Sequence, residues 1–268
     1  MVIADLAPPH IKLGNDSLEY TLSVLWDNLF LLVPIYAVAV PYLQRMYHID
    51  TPKEKQHKIK GLKMVMLVYN VLMSLFSFGC FAGMAWVVLV NQKGQIKVQD
   101  CGQYNRDPLF RIVVKLFHWS KYVEFLDTLF LIINYKQVSW LHYFHHCGAA
   151  INVGILQRSG IEAAWMFVSL NSFVHTIMYA YYGLSILGIK FKAKSIITSI
   201  QIIQFITGFT FFWDHKNIPC FAASGPLMGV FIYTYSYVGV VLLFFLNFFI
   251  KSYCLDGKVK NRIKSKEM

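Results

Sequence analysis

The sequence predicts an all-α membrane protein with seven transmembrane helices, and three observations lead to that fold class. Its 268 residues are 56% hydrophobic and 16% aromatic, with a mean hydropathy of +0.47. These values lie well above those of an ordinary soluble domain. Apolar windows of about 20 residues, the length that crosses a hydrocarbon core as a helix, recur along almost the whole chain. The links between the windows are too short to hold a second domain, and there is no repeat of fixed period.

Seven apolar windows are separated by charged or turn-forming residues. The third window contains five charged residues and is therefore the least lipid-like, and the fourth is short. We divide the chain into an N-terminal segment (1–24), one transmembrane catalytic domain (25–250) and a basic tail (251–268). The predicted spans cover residues 25–46, 64–90, 109–133, 138–156, 161–187, 194–213 and 221–250.

Lysine and arginine are distributed unevenly between the two predicted sides of the membrane. One side, formed by the loops after the first, third and fifth spans and by the tail, holds 16 of them, and the other side holds 6. Because positively charged loops remain cytoplasmic, the N-terminus is expected in the lumen and the tail in the cytosol. Asn15, in the glycosylation sequon "NDS", then lies on the luminal side. Lys264 and Lys266 in "KSKEM" resemble a dilysine retrieval signal, so we expect the endoplasmic reticulum membrane.

The five cysteines predict no structural zinc site, because none of them form a CxxC pair. Cys101 and Cys220 both lie in predicted luminal segments, where a disulfide can persist. Two free thiols are the alternative. Cys147 lies about 100° around the helix from the preceding histidine and off the histidine face. We interpret it as a small buried hydrophobic residue.

Polar side chains recur within four of the predicted spans. The stretch "SWLHYFHHCGAA" (139–150) places three histidines on one face of the fourth span. A second polar face follows in "NSFVHTIMYAYY" (171–182), where Asn171 and His175 are one turn apart. The candidate polar residues are Lys121, Glu124 and Asp127 in the third span, His142, His145 and His146 in the fourth, Asn171, His175, Tyr179 and Tyr182 in the fifth, and Gln201 and Gln204 in the sixth.

These residues are expected to face the interior of the bundle, because a charge at the bilayer centre costs about 2.5–3.5 kcal/mol. For Glu124 and Asp127, pairing that only holds helices together is the alternative. Several histidines aimed into one space need a shared partner. A di-iron oxygenase or desaturase also uses an HxxHH box but recruits about eight ligands, and five histidines here lie within the spans. We therefore expect no metal, and acid, base or nucleophile chemistry instead.

Four sequence boxes in order, "KYVEFLDT", "LHYFHH", "NSFVHTIMYAYY" and "TSIQIIQ", each within its own predicted span, resemble the signatures of the ELO family of very-long-chain fatty acid elongases. The resemblance is strong over residues 114–204 and weaker elsewhere. The segments "HHCGA" and "ITSIQIIQF" are most similar in sequence to those of fungal and protist elongases that accept polyunsaturated chains. A seven-helix transporter is the alternative from another class, but the inverted repeats and helix breaks typical of transporters are absent from the sequence.

The resemblance implies the condensing step of fatty acid elongation, in which a long-chain acyl-CoA and malonyl-CoA give 3-ketoacyl-CoA, CoA and carbon dioxide. It implies a helical barrel around an acyl-chain cavity, with CoA entering from the cytosolic side. The two CoA esters are substrates, and no cofactor or nucleic acid is expected. A ketoacyl reductase, a dehydratase and an enoyl reductase are the implied partners, and a homodimer is compatible with the resemblance. We expect the small residues Gly148, Ala149 and Ala150 to leave room for the acyl chain.

The reaction that the resemblance implies suggests an expected role for each candidate residue. His145 is expected to accept the acyl group as an acyl-imidazole, with Asn171 as a neutral donor beside it. His142, His146 and His175 are expected to orient substrates or stabilise oxyanions. Glu124 and Asp127 would set the tautomers or charge of the imidazoles, and Lys121 would pair with them or reach CoA. The expected supporting residues are Gln201, Gln204, Tyr179 and Tyr182.

Overall fold

The computed structural model describes residues 30–49, 61–98, 102–189, 193–218 and 224–255, and helices account for most of them. The eight α-helices in these ranges are α1 (Leu32–Gln44), α2 (Leu62–Trp86), α3 (Pro108–Val123), α4 (Phe125–Ile133), α5 (Trp140–Arg158), α6 (Ala164–Ile186), α7 (Lys194–Trp213) and α8 (Gly225–Phe249). Wider π-helical turns extend α1, α2 and α8 through Arg45–Ile49, Val87–Asn91 and Ile250–Leu255, and a 3₁₀ turn (Asp214–Asn217) extends α7. No strand occurs in the described ranges, so the all-α prediction is confirmed.

Three helix starts follow directly from the sequence. Asp107 caps α3 by accepting a hydrogen bond from the backbone N–H of Leu109 at 2.8 Å, and Pro108 occupies the first helical position. Ser224 caps α8 in the same way. Ser139 caps α5 by accepting from the N–H of His142 at 3.2 Å. This cap fixes the first turn of α5 and with it the position of the first histidine of the HxxHH box.

The predicted third span is not one continuous helix. The structure divides it at Glu124 into α3 and α4. The N–H of Glu124 still bonds to the carbonyl of Ser120 at 2.8 Å, but the N–H of Asp127 bonds to the carbonyl of Glu124 at 3.1 Å, three residues back. This tightened turn coincides with the residue whose carboxylate is held in the buried polar cluster described below. The prediction of a single helix over 109–133 was wrong for this reason, because periodicity does not register a local turn of this kind.

Six helices form a closed ring. Each packs on two neighbours in the order α2, α6, α7, α8, α5, α3 and back to α2. α1 lies outside this ring and packs against α4 and α5. Its inward residues Val33, Tyr36 and Val40 are buried, whereas its other face is exposed. The ring encloses the interior into which the polar stripes point.

Three helices are long and apolar enough to cross a membrane by length and composition alone. They span Leu62–Asn91, Lys194–Asn217 and Gly225–Leu255. The other helices in the described ranges are either too short, as α4 is with its nine residues, or carry polar residues that lower the mean hydropathy of the segment. The structure therefore supports a multi-pass membrane protein, and the count of seven spans stays a prediction.

Several predictions lie outside the described residues. They concern the N-terminal segment with Asn15, the cysteines Cys101 and Cys220, and the tail residues Lys264 and Lys266. Residues 251–255 of the predicted tail continue α8 as a helical turn.

Candidate active site

A cavity lies in the middle of the ring and is lined by five of its helices, α3, α5, α6, α7 and α8. It holds about 580 Å³ of empty space, counting the part that is open to the outside. Its wall contains polar side chains from every one of those helices, namely Lys121, His145, Asn152, Asn171, Gln204 and Tyr237. The rest of the wall is apolar, with Phe117, Ala149, Val153, Phe167, Leu170, Phe205, Gly208 and Val238. The mixed lining suits a ligand with a polar head and an apolar tail.

One end of the ring, where α5 and α7 end and α6 and α8 begin, is closed by an apolar cluster. Leu156 of α5, Met166 of α6, Phe212 of α7 and Phe231 of α8 are at most 4% exposed and pack together. Phe212 and Phe231 stack with ring centroids 4.8 Å apart. This cluster, called here the floor, contains no charged group. The cavity therefore has a histidine in its wall and a dry apolar end below it.

A buried ion pair joins α3 to α6. The ammonium of Lys121 donates to the Glu124 carboxylate at 2.6 Å and to the Asn171 side-chain oxygen at 2.9 Å. Lys121 and Glu124 are each 3% exposed, and the ammonium also lies 4.2 Å from the centroid of the Phe117 ring. Because lysine can only donate, the amide oxygen of Asn171 must face it. The amide NH₂ of Asn171 is then left to donate elsewhere, and Asn171 lines the cavity.

The same carboxylate reaches a histidine of α6. Glu124 Oε1 lies 3.4 Å from Nδ1 of His175, which is 7% exposed. Ser120 also donates to this oxygen at 3.3 Å. A carboxylate at Nδ1 favours the tautomer that carries its proton there and leaves Nε2 as an acceptor. Glu124 is thus in a position to set the tautomer of His175, the role expected from sequence.

A second polar chain connects α1, α4 and α5. Tyr36 Oη lies 2.8 Å from Thr128 Oγ1, which lies 2.8 Å from Nε2 of His142. Thr128 is fully buried and Tyr36 is 6% exposed. The ring of His142 stacks on that of His146 with centroids 4.1 Å apart. Sequence reasoning missed Tyr36, since a single tyrosine in an apolar first span gives no polar stripe.

His145 points to a different place from the other two histidines of its box. Its ring lies near Phe205 of α7 and Phe245 of α8, each with centroids 6.2 Å away, and 5.7 Å from the ring of His146. Consecutive helical residues diverge by about 100°, so the box divides between two directions. His142 faces α4 through Thr128, whereas His145 faces the cavity.

Tyr237 of α8 is the main contact of His145 and was missed by sequence reasoning. Its hydroxyl donates to the backbone carbonyl of His145 at 3.0 Å and lies 3.4 Å from Nδ1 of the same residue. The ring packs so closely on α5 that a Cβ at Gly148 would lie 2.2 Å from it. Tyr237 sits in "YTYSYVGV" (233–240), where three tyrosines alternate within an apolar span and no helical polar stripe distinguishes one of them.

The small residues after the histidines do not act as predicted. The space beside Gly148 is filled by the Tyr237 ring. Ala150 is fully buried against Val33 and Tyr122. Only Ala149 of the three borders the cavity. The expectation that all three leave room for an acyl chain was therefore wrong, since two of them allow close packing of neighbouring helices instead.

The remaining predicted residues lie around this site. The hydroxyl of Tyr179 donates to the carboxylate of Asp127 at 2.6 Å, which ties α6 to α4 rather than to an imidazole. Gln201 contacts the sulfur of Met178 at 3.6 Å. Tyr182 is 45% exposed and its ring contacts that of Tyr181. These contacts put Asp127, Gln201 and Tyr182 outside the cavity wall.

Other reactive side chains have structural surroundings. Both ring nitrogens of His118 lie 3.1 Å from a partner, Gln157 Oε1 on one side and the Tyr122 hydroxyl on the other. Cys147 packs against the apolar cluster that contains Tyr36 and Val138. Within the described part of the chain, His, Cys, Asp and Glu side chains do not group as three or more metal ligands would. The ring nitrogens of His142, His145 and His175 instead have side-chain partners of their own.

Comparison with known proteins decides the family. Residues 21–261 match the ELO family, described as the GNS1/SUR4 family, which covers most of the 268 residues. The chain belongs to the ELO family. Each helix of the site, from α1 to α8, falls within the matched range.

Relatives of this ELO protein come from distant organisms. It is 28% identical over 254 residues to very long chain fatty acid elongase 2 of Mus musculus, covering 91% of this chain and 83% of the relative. It is 26% identical over 250 residues to very long chain fatty acid elongase 6 of Rattus norvegicus, covering 90% and 89%. Fatty acid elongase 4 of Trypanosoma brucei brucei is 29% identical over 230 residues, covering 82% and 86%.

Proposed function

We propose that this ELO protein is the condensing enzyme of fatty acid elongation, a 3-ketoacyl-CoA synthase that joins an acyl-CoA to malonyl-CoA. The observation that carries this proposal is the position of His145 in the wall of a cavity with an apolar floor. An acyl chain extends toward the floor while its thioester remains near the histidine. Family membership and the relatives named as elongases support this reaction over a di-iron oxygenase or a transporter.

The hydrogen bonds of Tyr237 support Nε2 of His145 as the nucleophile. The single hydroxyl proton of Tyr237 is donated to the His145 carbonyl, at 3.0 Å. Toward Nδ1 of His145, at 3.4 Å, the tyrosine oxygen is then an acceptor, which favours a proton on Nδ1. The lone pair is left on Nε2. Tyr237 thereby holds the ring in one tautomer, as the third member of a nucleophilic constellation does.

In the first half-reaction, Nε2 of His145 attacks the carbonyl carbon of the acyl-CoA. A carbon–nitrogen bond forms, the carbon–sulfur bond breaks, and CoA leaves as a thiolate with the electron pair. The Nδ1 proton stays on the imidazolium, facing the oxygen of Tyr237. The result is an acyl-imidazole with its chain directed to the floor.

In the second half-reaction, malonyl-CoA loses carbon dioxide and the electrons of that bond form an enolate. The NH₂ group of Asn171, released by the contact of its oxygen with Lys121, is one donor for the developing oxyanion, and Gln204 is a second. The enolate carbon attacks the acyl carbon, and the bond to His145 breaks. The products are 3-ketoacyl-CoA and free His145.

The surrounding residues position these groups. Glu124 orients His175 through Nδ1 and is itself neutralised by Lys121. The Tyr36–Thr128 pair fixes the ring of His142, because the Thr128 oxygen lies 2.8 Å from the Tyr36 hydroxyl and 2.8 Å from Nε2. We propose that this chemistry needs no metal and no organic cofactor, since proton transfer and oxyanion donors come from side chains.

The seven predicted spans, with the N-terminus in the lumen of the endoplasmic reticulum and the tail in the cytosol, complete the proposal. The distribution of lysine and arginine supports this orientation. CoA then enters near the first turn of α5, on the same predicted side of the membrane as the most basic loops. Glycosylation of Asn15 in microsomes tests the orientation, and replacing Lys264 and Lys266 by serine tests retrieval. In the same membrane, a ketoacyl reductase, a dehydratase and an enoyl reductase take the product onward, and co-purification tests these partners and a homodimer.

A burst of CoA release tests the acyl-histidine intermediate. Acyl-CoA alone, without malonyl-CoA, is expected to release about one CoA per active site and to leave an adduct on the peptide with His145. His145→Ala should abolish both the burst and turnover. Cys147→Ala is the matched control, two residues further along the same helix, and should keep both.

The outcomes separate three mechanisms. An adduct that survives in His145→Ala but not in Cys147→Ala assigns the nucleophile to the thiol and overturns the proposal for His145. Turnover without any adduct means direct condensation in a ternary complex, with the histidines as bases and oxyanion donors. Absence of 3-ketoacyl-CoA from a range of acyl-CoAs with radiolabelled malonyl-CoA refutes the condensing function.

A further inference from the structure

The cavity wall contains one polar side chain below the layer formed by Lys121, Asn171 and Gln204, and that side chain is Asn152. It lies on α5, seven residues after His145 and on the same face, with Ala149 between them. Asn152 is 4% exposed and lines the cavity. Its neighbours on the wall are Val153, Phe167 and Val238, which offer nothing to an amide. An amide in such surroundings calls for a partner.

One end of this amide is fixed by α8. The hydroxyl of Thr234 donates to Oδ1 of Asn152 at 2.9 Å, and Thr234 is fully buried. In this orientation Oδ1 faces Thr234 and accepts the proton of its buried hydroxyl group. The NH₂ group of Asn152 is therefore turned away from Thr234. Among the described residues it has no hydrogen-bond partner, and its remaining exposure is to the cavity.

The depth of Asn152 corresponds to a particular stretch of the acyl chain. Seven residues of helix rise about 10.5 Å. An extended chain advances about 1.25 Å per bond, from a carbon–carbon bond of about 1.52 Å at an angle near 111°. The NH₂ group thus lies beside the chain about eight bonds from the carbonyl carried by His145. A saturated chain offers it no acceptor at this depth.

We propose that Asn152 is a specificity-determining residue that selects acyl chains with a hydrogen-bond acceptor about eight bonds from the thioester. The acceptor is the π-electron pair of a cis double bond or the oxygen of a hydroxyl group. Thr234 is the positioning residue that turns the amide toward the chain. This inference rests on the proposed function, which places the acyl carbonyl on His145. It adds which acyl chains the enzyme selects.

Competition between two positional isomers tests the proposal. Two acyl-CoAs of equal length, one with a cis double bond about eight bonds from the carbonyl and one with the bond about four bonds further along, are mixed with malonyl-CoA. The product ratio gives the ratio of kcat/KM and does not depend on how much of the enzyme is folded. Wild type should favour the nearer isomer by about two- to five-fold, the range of a single N–H contact to a π system. Hydroxylated isomers should differ by up to about ten-fold.

The variant Asn152→Leu with Thr234→Val removes both polar partners and leaves an apolar wall of similar volume. Its product ratio should fall to about one for both pairs of isomers. Thr234→Val alone, which keeps the amide but frees its orientation, should reduce the preference. Thr198→Val is the matched control, since it removes a buried hydroxyl that donates to the Lys194 carbonyl outside the cavity wall and should keep the wild-type ratio.

Two results overturn the inference. Wild type with a ratio of about one for both the double bond and the hydroxyl shows that the amide does not contact the chain there. An unchanged wild-type ratio in the double variant assigns the selection to another part of the wall. If no isomer yields 3-ketoacyl-CoA, the condensing function fails instead, and displacement of a labelled acyl-CoA by the same isomers still measures whether Asn152 discriminates between them.

Discussion

The close contact between α5 and α8 predicts that Gly148→Ala strongly impairs catalysis. A Cβ at this position would lie 2.2 Å from the Tyr237 ring, whereas ordinary contact begins at 3.4 Å. The ring must therefore retreat by about 1.2 Å, the difference between those two distances. Its hydroxyl moves with it, away from the carbonyl and Nδ1 of His145. A displacement of this size at a reacting group costs about 100-fold in rate.

The same substitution should also destabilise the fold, by about 1–3 kcal/mol for an overpacked helix contact. Gly229→Ala is the control, because it lies in α8 as well and a Cβ there meets nothing within 4 Å. That variant should keep turnover and gain a few tenths to about 1 kcal/mol from helix propensity. The measurements are incorporation of radiolabelled malonyl-CoA into 3-ketoacyl-CoA and thermal unfolding of the purified protein in detergent.

Tyr237→Phe isolates the contribution of the hydroxyl group. It keeps the ring and removes both contacts to His145, so we expect lower turnover at nearly unchanged stability. If Gly148→Ala acts through the hydroxyl, adding Tyr237→Phe to it should cost little more. The reasoning is refuted if Gly148→Ala keeps turnover within about two-fold of wild type, or if the two losses multiply as independent effects do.

Four further predictions concern the rest of the chain. Lys121→Met should destabilise the protein by about 3–5 kcal/mol because it leaves Glu124 buried and unpaired. Lys121→Met combined with Glu124→Met should recover thermal stability but not turnover. Equal stability of the single and double variants contradicts this. Glu162→Ala should lower the melting temperature, because the carboxylate accepts three backbone N–H bonds from residues 102–105 at 2.6–3.1 Å. Glu162→Gln should lower it less. A larger loss for glutamine than for alanine contradicts the role of those bonds. Purified protein should contain no stoichiometric iron or zinc and chelators should leave activity intact, so about two irons per chain would revive the oxygenase hypothesis. Non-reducing peptide mapping should find Cys101 joined to Cys220, for a stabilisation of about 4–5 kcal/mol in the entropic model, and two free thiols would rule this out.

The distribution of apolar and polar residues over whole spans predicted the fold well. Apolar windows indicated most of the helices to within a few residues, and the order of polar stripes indicated which faces turn inward. The break at Glu124 escaped prediction, because one tightened turn leaves the hydrophobic period unchanged. So did the position of α1 outside the ring, since helix order around a bundle depends on packing that no single span encodes.

The site was predictable where polar residues stand out from an apolar background. His145, Asn171, Lys121 and Gln204 line the cavity as a group, and each was a polar exception in its span. Tyr237 could not be identified in this way, since tyrosine is common in the apolar spans of this chain. Asn152 was missed for another reason, because a single amide two turns beyond the histidine box is usually a packing residue.

The hydrogen-bonded chain Tyr36–Thr128–His142 gives α1 a role other than enclosing the cavity. The ring of six helices closes without α1, so this helix adds little to the enclosure of the cavity. What it adds is the hydroxyl group at the outer end of a hydrogen-bonded chain that reaches the histidine box. Selection on α1 should therefore act on one tyrosine and the two buried valines that seat it, while the lipid-facing positions drift freely among apolar residues. We expect α1 to accept replacement by another apolar helix, provided that a hydroxyl group lies at the same height beside Thr128.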